Sequence, residues 1–410
     1  MKQDFALGGY LPRTLPNFNS SNPFPKGNDE YWMFEALLEA MSAVGISLPN
    51  PTVGCVFVKN GQKVASGATQ AYGGLHGERI AIGNAAHQDD LKGATCYVLL
   101  EPCAHFGKQP PCMTALVESG ISRCVIATKD PFKEVKGRGI QHLKDNGIKV
   151  DVGALSKEAQ AWFLTFFAEQ ILERPIIAGK WAQTLDGHLA DDTGVSKWIT
   201  GASARQYTHW LRQKYQTIMV GAGTAIDDSP RLDARDCGEP HKAQPTKIVF
   251  DPRSRIEKID QKLRERLASR TFAGSQGTLY CTTNRDLDST WLGRVKNLHP
   301  VFLEDPDNLK SCLEAIQGKY LETHGKRLQG IFIEGGSTLL NLFMEKGLID
   351  ILHTFINPSI VGGGNHRLGA GPFKPRALKD RPKFHPIQSV LLGQDILVES
   401  VSEQIFNNVW

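Results

Sequence analysis

The sequence predicts an α/β protein built as two layered units in succession, and three observations carry that prediction. In both halves, short apolar runs of strand character alternate with stretches of helical periodicity, the pattern of helices packed on a sheet. With 410 residues and 41% hydrophobic content, the chain is too long for one ordinary core and suits two. Between the halves, a stretch over 156–172 with a bulky apolar face is stopped by Glu173-Arg174-Pro175, which places the boundary between residues 172 and 173.

Residues 1–28 are rich in Asn, Pro, Gly and Ser, carry no apolar period, and read as a flexible tail. Helical spacing then predicts a helix over 31–44. Runs at 52–58 and 63–66 flank Asn60-Gly61, a dipeptide that favours a tight hairpin. Helices are predicted at 76–87, 111–118 and 139–146, with strands at 95–100 and 124–128, so the first unit spans 29–172. The second, 173–410, offers strands at 176–181, 217–220, 247–250, 277–281, 330–334 and 352–356. Helices at 202–213, 309–317 and 338–346 fall between some of them.

Lys and Arg number 47 against 43 Asp and Glu, a net charge of +4 spread without a long basic block. That excludes the electrostatic footprint of a dedicated nucleic-acid binder and leaves small anionic ligands open. No run reaches the roughly 18 apolar residues that span a bilayer, and residues 1–31 lack the order of a secretion signal, so a cytoplasmic protein is expected. Eight cysteines, unevenly placed, fit reduced thiols and one metal site better than a disulfide framework.

His76-Gly77-Glu78 opens a predicted helix, and Pro102-Cys103 with a later Cys112 follows a strand. One imidazole and two thiolates leave the fourth position of a tetrahedral zinc open for water, as a catalytic site requires. Zinc lowers the pKa of that water to about 7, and Glu78 is placed to move the protons. The H-x-E and P-C elements are those of zinc deaminases, although the two cysteines are separated here by Ala104 to Pro111 instead of two residues. Cys55, Cys96 and Cys124, inside apolar strands, read as packed core. Two other readings remain open: a base deaminase acting on nucleic acid, which wants a basic channel with aromatic platforms, and a scaffold in which zinc serves only the fold.

The run Glu101-Pro102-Cys103-Ala104-His105-Phe106-Gly107-Lys108-Gln109-Pro110-Pro111-Cys112, with Pro49-Asn50-Pro51-Thr52-Val53-Gly54 upstream, resembles the deaminase half of the bifunctional riboflavin biosynthesis family. The resemblance implies a cytidine-deaminase-like three-layer domain in which Asn50, His105 and Lys108 touch the substrate. The chain departs from the family at Gly77, where Ala is usual, at Arg79, where an apolar residue is usual, and at Thr69 or Gln70, where a His is usual. Gly77 is expected to add flexibility at modest cost, and Arg79 to serve as a replacement phosphate contact.

Three stretches stand out in the second half: Leu185-Asp186-Gly187, Ser196-Lys197-Trp198-Ile199-Thr200-Gly201, and Glu334-Gly335-Gly336-Ser337-Thr338. In the last, two glycines at a helix start let the backbone approach a phosphate and aim free N–H groups at it. Singly, each has a plainer meaning: a turn, a core tryptophan, a glycine-rich connection capped by Ser337. Together, and with Gly221 to Leu232, they resemble the reductase half of the same family, which has a dihydrofolate-reductase-like fold. The resemblance implies NADPH contacts at Ala182, Trp198, Thr224, Asp228 and the run Gly336, Ser337, Thr338, Leu339, Leu340, Asn341, Leu342. It implies substrate contacts at Ser196, Arg212, Leu232, Arg235 and Glu334, where the plainer meaning of Arg212 is a solvated helix face and of Arg235 a loop charge.

The expectation is a bifunctional hydrolase and oxidoreductase with Zn2+ and NADPH as cofactors. Its first half removes the 2-amino group of a diamino-ribosylamino-pyrimidinone 5'-phosphate. Its second half reduces the ribosyl group of the product to ribityl. A homo-oligomer through the reductase half is expected as well.

Overall fold

The computed structural model describes residues 22–104, 109–132, 135–235, 243–363 and 377–409. They fall into two compact units, one ending at Ile171 and the other covering Leu172–Asn408.

In the first unit, α1 (Asp29–Met41) precedes a hairpin of β1 (Gly54–Lys59) and β2 (Gln62–Ala68), which turns at Asn60-Gly61 as its sequence predicts. Then come α2 (Gly77–Gly83), β3 (Thr95–Leu100), α3 (Cys112–Glu118), β4 (Arg123–Thr128), α4 (Arg138–Asp145) and β5 (Lys149–Val152), closed by α5 (Ser156–Trp162) and α6 (Leu164–Leu172). The sheet order is β2-β1-β3-β4-β5, with β1 antiparallel to both neighbours and β3, β4 and β5 parallel. Cys55, Cys96 and Cys124 are fully buried in β1, β3 and β4.

Three local expectations change. Residues 22–28, expected to be tail, dock on α1: the Asn22 side chain donates to Tyr31 O at 2.8 Å, and Asn28 Oδ1 accepts from Tyr31 N at 2.8 Å as the cap. The helix expected over 156–172 is two helices meeting at Phe163, because burial decides over periodicity. Trp162 turns inward to donate to Thr52 O at 2.8 Å, and Phe163 is itself buried. β5 has no counterpart among the predicted strands, since Lys-Val-Asp-Val on a sheet edge carries no apolar run.

The second unit contains β6 (Ile176–Thr184), α7 (Ala202–Lys214), β7 (Thr217–Gly221), α8 (Ala222–Asp228), β8 (Thr246–Phe250), α9 (Gln261–Ser269), β9 (Thr278–Thr282), β10 (Leu298–Phe302) and α10 (Leu309–His324). It continues through β11 (Gly330–Glu334), α11 (Ser337–Glu345), β12 (Ile351–Asn357), β13 (Phe384–Leu392), β14 (Asp395–Ser402) and α12 (Glu403–Val409). Nine strands run in the order β10-β9-β8-β7-β11-β6-β12-β14-β13; the seven from β10 to β12 are parallel, and β14 and β13 are antiparallel. Because β11 returns between β7 and β6, the turns after these three strands share one carboxyl edge, the place where open α/β sheets bind ligands.

β14 is absent from the predicted strands for a physical reason. Its buried face reads Asp395, Leu397, Glu399, Val401, so charge interrupts the apolar alternation. Both charges are paired inside the fold. Asp395 accepts from Gly201 N at 2.7 Å, just before α7, and from the Asn357 amide at 2.7 Å, while Glu399 contacts His353 Nδ1 at 2.6 Å. Arg174, part of the helix-stopping tripeptide, grips buried Asp350 with two N–H groups at 2.8 and 2.9 Å and so anchors the start of β6.

Candidate active sites

In the first unit, three elements deliver their chemistry to one point. His76 is the N-cap of α2, Glu78 sits in its first turn, Cys103 lies on the segment leaving β3, and Cys112 begins α3. His76 Nδ1 is 3.5 Å from Cys103 Sγ and 3.4 Å from Cys112 Sγ, and all three donor atoms lie within 4.8 Å of one another. A tetrahedral zinc with nitrogen at about 2.05 Å and sulfur at about 2.3 Å needs N···S edges of about 3.6 Å, so this donor set fits the ion without rearrangement. A hydrogen bond from Cys112, opposed by burial and reinforced by His76, holds the Cys103 thiol well below its ordinary range, the direction that favours a metal-ligating thiolate. Burial raises the Glu78 carboxyl, which is 3% exposed and bonded to the Cys112 thiol. A carboxyl so placed can take up and return a proton beside the metal.

The neighbours that hold this geometry are largely hidden in the sequence. Glu101, just before Pro102-Cys103, is 2% exposed, and its carboxylate accepts from Asp130 N, Gly137 N, Gly139 N and Ile140 N at 3.4, 3.0, 3.1 and 3.3 Å. It ties the cysteine segment to the start of α4. Thr69, which with Gln70 marks the place where a His is usual, is buried; its hydroxyl accepts from Val53 N at 3.0 Å and donates to Val53 O at 3.2 Å. Asn50 is half-buried on the turn before β1, and its backbone N–H donates to Ser47 O at 2.9 Å. His105 and Lys108 lie outside the described residues.

Polar groups in the second unit gather along the carboxyl edge of the sheet. Glu334, at the end of β11, receives Arg212 Nε at 2.7 Å and Nη2 at 2.6 Å, while Arg212 Nη1 donates to Asp233 O at 2.8 Å. The solvated-face reading of Arg212 therefore fails, since that residue is 9% exposed and doubly bonded. Burial works against the ionised Glu334, yet Arg212 and then Lys180 hold its carboxyl down at about 2. Burial, helped by Arg212 and Arg235, lowers His209 to about 4 and keeps it neutral. Lys180, the register partner of Glu334 in β6, is pushed down by burial. Sequence reasoning misses this residue, although one lysine inside an otherwise apolar strand is a signal that could have found it.

Gly336 adopts φ 68° at the start of α11, and a Cβ there would lie 2.8 Å from Thr224 Oγ1, so the α8 and α11 turns touch. Lys197 reaches Asp228 at 3.2 Å and brings the Trp198 loop to the same edge. Trp198 is no core residue: it is 69% exposed, faces the Arg205 guanidinium at 4.6 Å, and with Ser196 lines a cleft of about 720 Å3. Ala182 is half-buried in β6. Leu339, Leu340 and Asn341 are buried, so of the expected cofactor run the first turn, Gly336 to Thr338, is what faces outward. Leu232 is buried at φ 56°, and Arg235 is exposed and paired with Asp233.

The profile of the cytidine and deoxycytidylate deaminase zinc-binding region matches residues 26–128, and that of the RibD C-terminal domain matches 175–398. The riboflavin biosynthesis protein RibD of Aquifex aeolicus is 36% identical over 370 residues, covering 90% of this chain and 97% of that protein. That of Actinobacillus pleuropneumoniae is 34% identical over 385 residues, covering 93% and 97%. This chain belongs to the RibD family. A crystal structure from Thermotoga maritima, described as a diaminohydroxyphosphoribosylaminopyrimidine deaminase/5-amino-6-(5-phosphoribosylamino)uracil reductase, superposes with a TM-score of 0.75 at 30% identity, covering 91% of this chain and 98% of that one.

As a RibD protein the chain is a bifunctional enzyme of riboflavin biosynthesis, with a zinc-binding deaminase domain followed by a reductase domain of the type that uses NADPH. Among the described residues no helix is long and apolar enough to cross a membrane. One RibD departure gains a cause. Gly77 was expected only to loosen the helix start, but a Cβ there would sit 2.3 Å from Val53 O, inside any real contact distance. Gly77→Ala must push the start of α2 away from Val53, and with it His76 and Glu78. The expected result is a loss of about 1–3 kcal/mol from the first unit's unfolding free energy, together with weaker zinc retention against a chelator; an unchanged melting curve and zinc content would count against the close approach.

Proposed function

We propose that the first unit hydrolyses the exocyclic 2-amino group of 2,5-diamino-6-(5-phosphoribosylamino)pyrimidin-4-one and that the second reduces the ribosyl group of the product to ribityl with NADPH. The observation that carries this reading is the His76, Cys103, Cys112 donor triangle at zinc edge lengths with buried Glu78 against it. Zinc held there supplies a Lewis-acidic position that brings the pKa of water to about 7. Glu78 accepts the proton released from the attacking water and delivers it to the departing amine. Asn50, His105 and Lys108 bind the pyrimidine and its phosphorylated ribose.

NADPH bound in the second unit supplies hydride to C1' of the ribose, and the ring oxygen leaving that carbon requires a proton. Lys180, desolvated and beside Glu334, is the group proposed to provide it. Glu334 consumes most of the Arg212 fork, so Arg212 positions Glu334, and exposed Arg235 takes the larger share of the sugar phosphate. Ser196 and Leu232 complete the substrate contacts. Ala182, Trp198, Thr224, Asp228 and the Gly336–Leu342 run hold the cofactor, the outward turn of that run meeting its phosphates. Purified, zinc-replete full-length protein given the diamino substrate is expected to release one ammonia per molecule and only then to oxidise NADPH. No ammonia release, or NADPH oxidation that precedes it, would refute the order of the two steps.

Free cysteines at all seven described positions fit the reducing cytoplasm. A homo-oligomer is proposed through the second unit, where Leu391 and Ile396, register partners in β13 and β14, are 68% and 37% exposed. Sedimentation of Leu391→Lys is expected to show smaller assemblies than the parent; identical values would reject that surface.

A further inference from the structure

Arg79 leaves the first turn of α2 three residues after His76, a spacing that puts both side chains on one helix face. Its Nε donates to Pro110 O at 3.2 Å and its Nη2 to Pro111 O at 3.1 Å. These carbonyls belong to the two residues immediately before Cys112. Neither proline has an N–H, so their backbone can only accept, through its carbonyls, from donors arriving from elsewhere. The residue before them, Gln109, makes a tie of the opposite sense, its side-chain amide donating to Gly73 O at 3.2 Å, ahead of α2. Arg79 makes two more with one rigid fork, which fixes direction as well as distance.

We infer that Arg79 is a positioning residue of the metal centre, a brace from the helix carrying His76 and Glu78 to the proline pair that sets where Cys112 points. The inference rests on the reading of His76, Cys103 and Cys112 as zinc ligands. It replaces the phosphate-contact role expected from the sequence, since the Nε and Nη2 groups that would form a paired contact with a phosphate are committed to carbonyls. A departure from the family pattern thus becomes part of this chain's way of holding its metal.

The test uses full-length, zinc-loaded protein and the rate at which a chromogenic chelator strips the metal. R79A is expected to release zinc at least about tenfold faster, the usual size of the effect when a ligand loses its support. R79K, a single ammonium that cannot span both carbonyls, is expected to fall between. NADPH oxidation by the second unit and the melting temperature of the apoprotein should stay at the parent values, which separates bracing of a ligand from general destabilisation. Release from R79A at the parent rate overturns the inference. So does unchanged release with a raised KM for the phosphorylated substrate, which marks a phosphate contact, and so does an apoprotein that melts lower in step with faster release. Parent protein that takes up no zinc would overturn the ligand reading as well, whereas normal uptake with unchanged R79A release overturns this inference alone.

Discussion

Glu78→Gln is expected to lower ammonia release by about 10²–10⁴-fold, the contribution of a positioned acid–base group, while zinc content and NADPH oxidation with pre-deaminated substrate stay at parent values. The amide keeps the shape of the side chain and its place beside Cys112, so a loss restricted to turnover isolates proton transfer. The same change has a stability consequence of definite sign. Burial raises the Glu78 carboxyl above its ordinary value, so the folded apoprotein retains a proton that the unfolded chain gives up, and stability falls as pH climbs between the two values. Glutamine removes that fall, and apoprotein E78Q should therefore melt no lower than the parent at pH 7. Calorimetry of the two apoproteins, set beside an ammonia assay, checks both halves; ammonia release near the parent rate would remove Glu78 from the chemistry.

Gly336→Asp is expected to abolish measurable NADPH binding and leave ammonia release intact. The residue holds φ 68° at the outward turn of α11, with Thr224 against it, and an aspartate there sets a fixed negative charge where the cofactor phosphates are proposed to lie. Juxtaposed like charges cost several kcal/mol, and about 1.4 kcal/mol is tenfold, so affinity should fall by roughly two orders of magnitude or more. Because φ 68° and the 2.8 Å approach to Thr224 Oγ1 strain any side chain, Gly336→Ala serves as the reference that carries strain without charge. Titration of NADPH into the two variants decides: equal affinities would move the phosphates away from this turn.

The role of Glu78 is legible in the sequence because its geometry is local. His76 and Glu78 belong to one helix turn, the residue types are those zinc demands, and Pro102-Cys103 follows a strand whose predicted span matches the observed one. Gly336 is legible for the same reason, as two glycines between a strand and a helix describe their own backbone.

By itself, then, the sequence determined the α/β class of both units and most of their central strands, the residue types at the metal site and the glycine turn after β11. Each of these depends on neighbours a few residues away, where periodicity and turn chemistry act directly. Only the tertiary structure decided which distant groups meet. Arg212 grips Glu334 across 122 residues because β11 inserts between β7 and β6, and Lys180 is desolvated because the same insertion encloses β6. Gly77 has no room for a methyl group because the Val53 carbonyl, just before β1, lies against the start of α2, and Arg79 finds the two prolines because their carbonyls lie beside that helix. Strand order and register set such contacts, and no spacing along the chain encodes them.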